Sequence, residues 1–413
     1  MLDTQTNSQD AEPELPFDLN PLRRSLLAGS AYAGVLALFR PAVALAQAPA
    51  APRPLPALAS FKDPGSMIVH SSSTIETRRA AMGLVVTPVN QLYVRNNLNP
   101  PDASVVAKPD AWEVQVEGVR RPATLTLAEL KKMPTETVTM VLQCSGNGRG
   151  YFPSKPSGTP WQTGAAGCVM WTGVPVKDLA RRLGGVDRVA KFMTGTGGEV
   201  LPAGVDPKTR VERSVPVAAM EDALLAWELN GQPIPLAHGG PLRLIVPGYT
   251  GVNSVKYVKR LAFTEVESDA NIQQTNYRMT PSDEKAYRPS DPSVWQMQPK
   301  SFVTAPLPES GPLRAGRTRV EGLAFGGMHD VAKVDVSVDG GATWKPARLV
   351  GPDLGRYAWR RFEADVDLPA GEHVITSRMT DTRGTVQAEQ RIENKGGYMN
   401  SSWRDHAVKV TVA

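Results

Sequence analysis

Two cysteines in 413 residues, Cys144 and Cys168, are too few for a disulfide framework, even though the N-terminus points to an oxidising destination. Neither lies in a C-x-x-C-H haem attachment motif or a paired-cysteine zinc motif, so any metal must be held another way. No dense basic run suggests nucleic acid as a partner, since the formal charge of +5 is dispersed along the chain. No G-x-x-x-x-G-K-[ST] or G-x-G-x-x-G opens a convincing nucleotide fold, and no repeat of solenoid length is visible. His70, His329, His373 and His406 show no ligand spacing and read as structural.

Long apolar runs are also missing. The longest, Leu26–Leu38, falls short of the roughly 20 residues a membrane-spanning helix needs. It follows Arg23 and Arg24 and precedes small residues at Ala44 and Ala46, an arrangement expected of a twin-arginine export signal over 1–46, with the mature chain starting near Gln47. Residues 1–46 carry more acidic than basic side chains, so the mature chain is more basic still. The expected destination is the periplasm, with no stable membrane anchor after cleavage. That route carries folded proteins, so a cofactor can be inserted before export.

What is plentiful is Gly and Pro, 36 of each, which suits strands and turns better than long helices. Residues 47–87 read as an Ala/Pro-rich linker and N-terminal extension. Over 88–280, the runs Trp112–Glu117, Val138–Leu142 and Leu242–Val246 predict strands, and Leu127–Lys132, Pro175–Leu183 and Val217–Glu228 predict helices, giving a mixed α+β domain. A Pro- and Ser-rich linker over 281–299 separates it from 300–413. There Arg319–Ala324, Ala332–Val338, Ala358–Val366 and His373–Thr380 alternate as half-buried strands do, predicting an all-β sandwich.

Cys144 follows a predicted buried strand in Val141-Leu-Gln-Cys-Ser-Gly-Asn-Gly-Arg-Gly150. A thiolate in a Gly-rich loop beside Arg149 suits a soft metal, although by spacing alone an inert buried cysteine is the better reading. Arg95 and Arg149 taken singly read as ion-pair members. His238 reads as a loop residue capping carbonyls, Tyr277 as a surface aromatic, and Trp161, Cys168 and Trp227 as packing residues.

Taken together, these segments resemble the sulfite oxidase/sulfite dehydrogenase family of molybdopterin enzymes. The resemblance spans about residues 88–413. Tyr93-Val-Arg95-Asn96-Asn97-Leu98 resembles the segment supplying an anion-binding arginine. The Cys144 loop resembles the one carrying the metal cysteine, with Arg149 as a second substrate-side arginine. Trp161 and the Trp171-Thr-Gly-Val-Pro175 run resemble the next active-site loop. His238-Gly-Gly-Pro-Leu-Arg243 and Gly251-Val-Asn-Ser254-Val-Lys256 resemble the segments that bind the pterin phosphate, and Tyr277 falls at the family's active-site tyrosine. Val336-Ser-Val-Asp-Gly-Gly-Ala-Thr-Trp344 resembles the signature of its immunoglobulin-like dimerisation domain.

The resemblance implies a molybdenum–molybdopterin cofactor with Cys144 as metal ligand, and catalytic roles for Arg95, Cys144, Arg149, Trp161 and Tyr277. It implies cofactor binding by Tyr93, Arg95, Asn96, Cys144, His238, Arg243, Ser254 and Lys256. Two arginines offer planar donors and permanent charge to a dianion such as sulfite. Two positions depart from the family pattern: Asn97 stands where a histidine is usual, and Lys395 only partly replaces a third substrate arginine. With no haem domain preceding the molybdenum domain, electrons are expected to pass to an external acceptor such as a c-type cytochrome, and the protein to be a homodimer. The competing readings are a sulfoxide reductase with the same metal centre and a non-catalytic periplasmic binding protein.

Overall fold

A computed structural model of the chain describes residues 53–413, so the expected export signal lies outside the described residues. Strands β1 (Met67–Ser71) and β2 (Thr74–Thr77) join β3 (Val94–Arg95) in a three-stranded antiparallel sheet. The described part of the segment read as linker and extension is therefore built into the fold. Its Ala59, Met67 and Ile75 are buried together with Val94 and Ala237.

A single turn, α1 (Ser104–Ala107), leads into the hairpin of β4 (Glu113–Glu117) and β5 (Ala123–Thr126). Sequence alternation in β4 becomes alternation of burial: Val114 and Val116 face the core while Glu113 and Gln115 are exposed. Next, α2 (Leu127–Leu130) opens on a capping box, Thr126 accepting from the Glu129 amide and the Glu129 carboxylate accepting from the Thr126 amide. β6 (Glu136–Gln143) pairs along its whole length with β7 (Ala166–Pro175), and its last residues, Met140 to Gln143, are all buried. Then come α3 (Val176–Arg182), β8 (Phe192–Gly197), β9 (Glu212–Pro216), β10 (Leu224–Leu229), β11 (Gln232–Pro233), β12 (Arg243–Ile245), β13 (Val258–Thr264) and α4 (Asn271–Gln274). They form two five-stranded sheets, β5-β4-β13-β8-β9 and β11-β10-β7-β6, the second with β12 on β10. Val116, Leu225, Leu244 and Leu261, drawn from both sheets, share one buried cluster.

The helix expected over Val217–Glu228 does not form. Residues Val217–Glu221 make a 3-10 turn, and Leu224–Leu229 are strand β10, paired to β7 on one side and β12 on the other. Helix propensity in Leu-Leu-Ala-Trp-Glu-Leu is worth only tenths of a kcal/mol per residue. It yields to two ladders of hydrogen bonds and a run buried on both faces. Trp227 is buried as expected, but on a strand.

From residue 300 on, seven strands follow one path, β14-β15-β18-β17-β16-β19-β20. These are β14 (Lys300–Ala305), β15 (Gly316–Phe325), β16 (Val331–Ser337), β17 (Lys345–Val350), β18 (Arg360–Leu368), β19 (Gly371–Asp381) and β20 (Val408–Val412). The sheet turns back on itself, Ser301 on β14 meeting Ser377 on β19 at 2.9 Å, into a barrel-like sandwich around Val334, Phe362 and Met379. Polar seams lock this part to the rest: Tyr357 donates to Asp222 at 2.8 Å, and Arg79 donates to the Val303 and His406 carbonyls, both at 2.7 Å. The chain is thus mixed α+β followed by all-β, as the sequence predicts.

Candidate active site

Strand β6 ends by delivering Cys144. Its amide donates to Ala165 O at 2.9 Å and its carbonyl accepts from the Asn147 amide at 2.9 Å, so the loop turns sharply straight after the thiol. Ser145 Oγ donates to Thr250 Oγ1 at 2.9 Å, and Gly148 takes a left-handed φ of 91°, where a Cβ would stand 2.9 Å from the Asn400 side chain. The thiol lies at the junction of two clefts. One is about 590 Å³ and the other about 1010 Å³, and both are lined by Arg95, Asn97, Cys144, Val211 and Tyr277.

The smaller cleft is cationic. Lys256 Nζ donates at 2.6 Å to both Asn96 Oδ1 and Ala237 O, while Arg243 donates from Nε to Ser254 O at 3.1 Å and from Nη1 to His238 O at 2.9 Å. Every one of these acceptors is a carbonyl or amide oxygen, so neither positive charge is neutralised by them. Gly239, at a φ of 98°, makes room for Lys256, whose Cβ would be 2.7 Å from any Cβ added there. Ser254 Oγ accepts from the Val246 amide at 3.2 Å, which fixes the strand that carries Arg243. Burial lowers Arg243 to about 10 and Lys256 well below its usual value. His238 is also held well below its usual range, first by burial and then by the fields of Lys62, Lys256 and Arg243. Burial likewise raises Tyr93.

Charges held this far from their solution values need an anion. Glu199, whose own carboxyl burial raises to about 7, supplies at most one. Its Oε2 and the Asn96 Nδ2 are buried without hydrogen-bond partners among the described residues, which marks the cleft as built for a polar guest. Among the described residues no group of three or more His, Cys, Asp or Glu side chains converges as a metal site. A metal held by Cys144 would therefore take its other ligands from a bound cofactor. A phosphate-bearing dithiolene cofactor fits on both counts: soft sulfur ligands at the thiol, and an anion for Lys256, Arg243 and His238.

The larger cleft is walled by Arg149, Trp161, Tyr277, Tyr287 and Tyr398. Arg149 is 8% exposed, donates from Nε to Gly396 O at 2.8 Å and from Nη1 to Thr159 O at 3.1 Å, and lies 5.3 Å from the Tyr398 ring centre. Tyr277 stacks on Tyr398 at 5.0 Å, and its hydroxyl donates to Asn97 Oδ1 at 3.3 Å. The asparagine at the departure from the family pattern thus holds the tyrosine. Arg95 bridges the two clefts and donates to the neighbouring Asn96 carbonyl. Trp161 is fully buried with its indole N–H unpartnered.

Every site residue named from the sequence therefore comes together around Cys144. The exception is Lys395 as a substitute arginine: its Nζ donates to Glu284 O at 2.9 Å, outside both clefts, and Gly396 and Tyr398 of the same segment reach the site instead. Sequence reading missed Lys62, Glu199, Tyr287 and Tyr398. Only Tyr398 sat in a segment already under suspicion. Lys62 lies in a stretch that reads as linker, and no motif surrounds Glu199.

The profile of the oxidoreductase molybdopterin binding domain matches residues 101–272, and that of the Mo-co oxidoreductase dimerisation domain matches 291–413. Sulfite oxidase of Gallus gallus is 32% identical over 335 residues, covering 77% of this chain and 72% of that protein. The chain belongs to the sulfite oxidase family. Members differ in reaction: an inducible nitrate reductase of Glycine max is 31% identical over 347 residues, covering 77% of this chain and 39% of that protein. The chain spans 62% of the length of the macaque and human sulfite oxidases it matches. Among solved structures, the sulfane dehydrogenase SoxCD of Paracoccus pantotrophus is similar at a TM-score of 0.69 and 26% identity, covering 84% of this chain and 89% of that one. The protein is accordingly a molybdopterin oxidoreductase, and molybdenum–molybdopterin is the cofactor the smaller cleft fits.

Proposed function

We propose that this sulfite oxidase family member is a periplasmic, homodimeric sulfite dehydrogenase that converts sulfite and water to sulfate, two protons and two electrons. The observation that carries the reading is the position of the Cys144 thiol between a cationic cofactor cleft and a cleft walled by Arg95, Arg149 and tyrosines. When bound, the molybdenum centre supplies two-electron oxygen-atom transfer to sulfur. Arg95 and Arg149 draw the dianion in and hold it, because guanidinium groups pair with oxyanions in a fixed geometry. Arg149 is preorganised for this by its bonds to Gly396 and Thr159, which leave Nη2 without a hydrogen-bond partner among the described residues. Trp161 and Tyr398 exclude water from one side. Tyr277, steadied by Asn97, holds a hydroxyl proton at the mouth of the cleft for donation as charge changes there.

The electrons leave one at a time, and a soluble c-type cytochrome suits that need. Export by the twin-arginine route places the enzyme with such an acceptor. Replacing Arg23 and Arg24 with lysines would leave a Sec signal working but stop export of a loaded enzyme, and undiminished periplasmic activity would remove that part of the reading. Sedimentation of the pure protein tests the dimer, a concentration-independent monomer being the contrary result.

The deciding experiment is metal and pterin analysis of pure protein followed by sulfite-dependent reduction of cytochrome c. Protein that carries molybdenum but reduces nitrate or a sulfoxide from a reduced dye, while leaving sulfite untouched, would overturn the substrate assignment. Protein that never acquires molybdenum would support a binding role instead.

A further inference from the structure

Lys62 is 3% exposed, yet among the described residues no carboxylate is one of its hydrogen-bond partners. Its Nζ lies 2.5 Å from Val89 O, 2.6 Å from Leu92 O and 2.7 Å from His238 Nε2, three acceptors for the three hydrogens of an ammonium group. The Phe61 ring covers the group, with Nζ 4.8 Å from its centre, and packs edge-on against the His238 ring. In its protonated form the amine has no lone pair, so Nε2 of His238 is then the acceptor of this contact. Two other histidines make the opposite choice: His70 Nε2 faces the Glu76 carboxylate at 2.7 Å and His373 Nε2 faces Pro369 O at 2.8 Å, both acceptors only.

We propose that Lys62 is a positioning residue for the cofactor cleft: by donating to Nε2 it fixes His238 as the tautomer protonated on Nδ1. Nδ1 is then an N–H donor on a residue that lines the cleft, and an N–H suits an anionic guest where a lone pair would repel one. Through this contact the segment before β1 reaches the cofactor, which explains why residues resembling a linker are built into the core. The proposal rests on the reading that the cleft holds a phosphate-bearing cofactor only for its purpose; the tautomer itself follows from the contact with protonated Lys62.

Burial lowers Lys62 to about 6 and keeps His238 well below its ordinary value. On the acid side of that value the lysine holds its proton while the imidazole stays neutral, and the contact is read there. The test is two-bond proton–nitrogen NMR of the enzyme labelled with 15N-histidine; with five histidines, signals are few, and His238→Gln assigns the one of interest. The expected pattern for His238 is Nδ1–H. In Lys62→Met the ring should move towards Nε2–H, since the Val89 and Leu92 carbonyls then lack a donor. Retention of the pterin through gel filtration should weaken on the order of tenfold. Lys62→Gln, whose amide can still donate to Nε2, should restore part of both. An Nε2–H pattern in the wild-type enzyme overturns the proposal even if no variant folds, and so does an unchanged ring in folded Lys62→Met. A wild-type Nδ1–H ring in protein that binds no pterin would sink the cofactor reading and leave the tautomer assignment standing.

Discussion

Arg149 and Gly396 are 247 positions apart, and the guanidinium Nε of one donates to the carbonyl of the other at 2.8 Å. Arg149, the arginine of the Cys144 loop that we propose meets the substrate, is therefore aimed by the chain's last segment, beyond β19. Asn400 adds to the same seam, its amide donating to Gly148 O at 3.0 Å. The all-β part thus contributes to the shape of the active site as well as to assembly.

Arg149→Lys should keep the charge and lose this aim. A lysine cannot reach Gly396 O and Thr159 O while pointing a third donor into the cleft, so KM for sulfite should rise about tenfold, equivalent to about 1.4 kcal/mol. The value of kcat should fall less. Steady-state kinetics with a saturating artificial acceptor read both, and an unchanged KM would place the anion elsewhere.

Arg213 is fully buried and donates to Asn253 Oδ1 at 3.1 Å, Ile272 O at 2.7 Å and Ser293 Oγ at 3.0 Å. It ties β9 to the loops that carry Tyr277 and Asn253. Arg213→Met removes the donors and strands the acceptors, so stability should drop by about 2–4 kcal/mol. A chemical denaturation midpoint equal to that of wild type would refute this structural role.

Lys300 is buried beside Arg79, His406 and Asp405, and donates to Asn400 O at 2.8 Å. Burial, then the Arg79 charge, lowers it to about 7. The unfolded lysine titrates near 10.4, so between about pH 7 and 10 the unfolded chain binds the extra proton and folding stability rises with pH. Below about 7 both states are protonated and the full penalty persists. Lys300→Met abolishes the penalty, so its stability advantage over wild type should shrink from pH 7 towards pH 10, by at most about 1.4 kcal/mol per unit. Equal differences at both ends of that range would contradict the buried, depressed lysine.

The β strands read from the sequence are those with one face buried and the other wet: Val114 and Val116 against Glu113 and Gln115, or Ala364 and Val366 of β18 against Asp365. β10 was not, because a strand paired on both edges and buried on both faces carries no alternation, and Leu-Leu-Ala-Trp-Glu-Leu then looks helical. For the site, residues within motifs were legible, since spacing around Cys144, His238 and Lys256 is local. Lys62 and Tyr398 reach the clefts through contacts with residues far away in sequence, and no local pattern announces them.

Arg95 lines both clefts and is only partly buried, so its charge acts on the approaching anion through solvent as well as in contact. Arg95→Gln keeps donors but loses charge. KM should rise, kcat should fall modestly, and added salt should weaken wild type more than the variant, because screening sets in over about 8 Å at physiological ionic strength. Identical constants and identical salt response would remove Arg95 from the substrate site.

The two cysteines offer the sharpest contrast. Cys168 lies opposite Val141 in the β6–β7 ladder, fully buried, and its thiol is pushed up to about 12 by burial, so it stays protonated and packs as a small apolar group. Cys144 lies one step past the end of β6, 8% exposed, facing both clefts. Cys168→Ala should cost about 1–2 kcal/mol of stability through the small void it leaves, with molybdenum content and turnover preserved in the folded protein. Cys144→Ser should do the reverse. The fold should survive, because the backbone bonds of Cys144 do not involve the sulfur, and pterin should remain if Lys256, Arg243 and His238 hold its phosphate as proposed. A hydroxyl is a poor partner for a soft metal, however, so sulfite turnover should fall on the order of 100-fold or more. Metal analysis, released pterin and turnover measured on both variants separate the two roles, and a Cys144→Ser enzyme with wild-type molybdenum and rate would remove this thiol from the metal site.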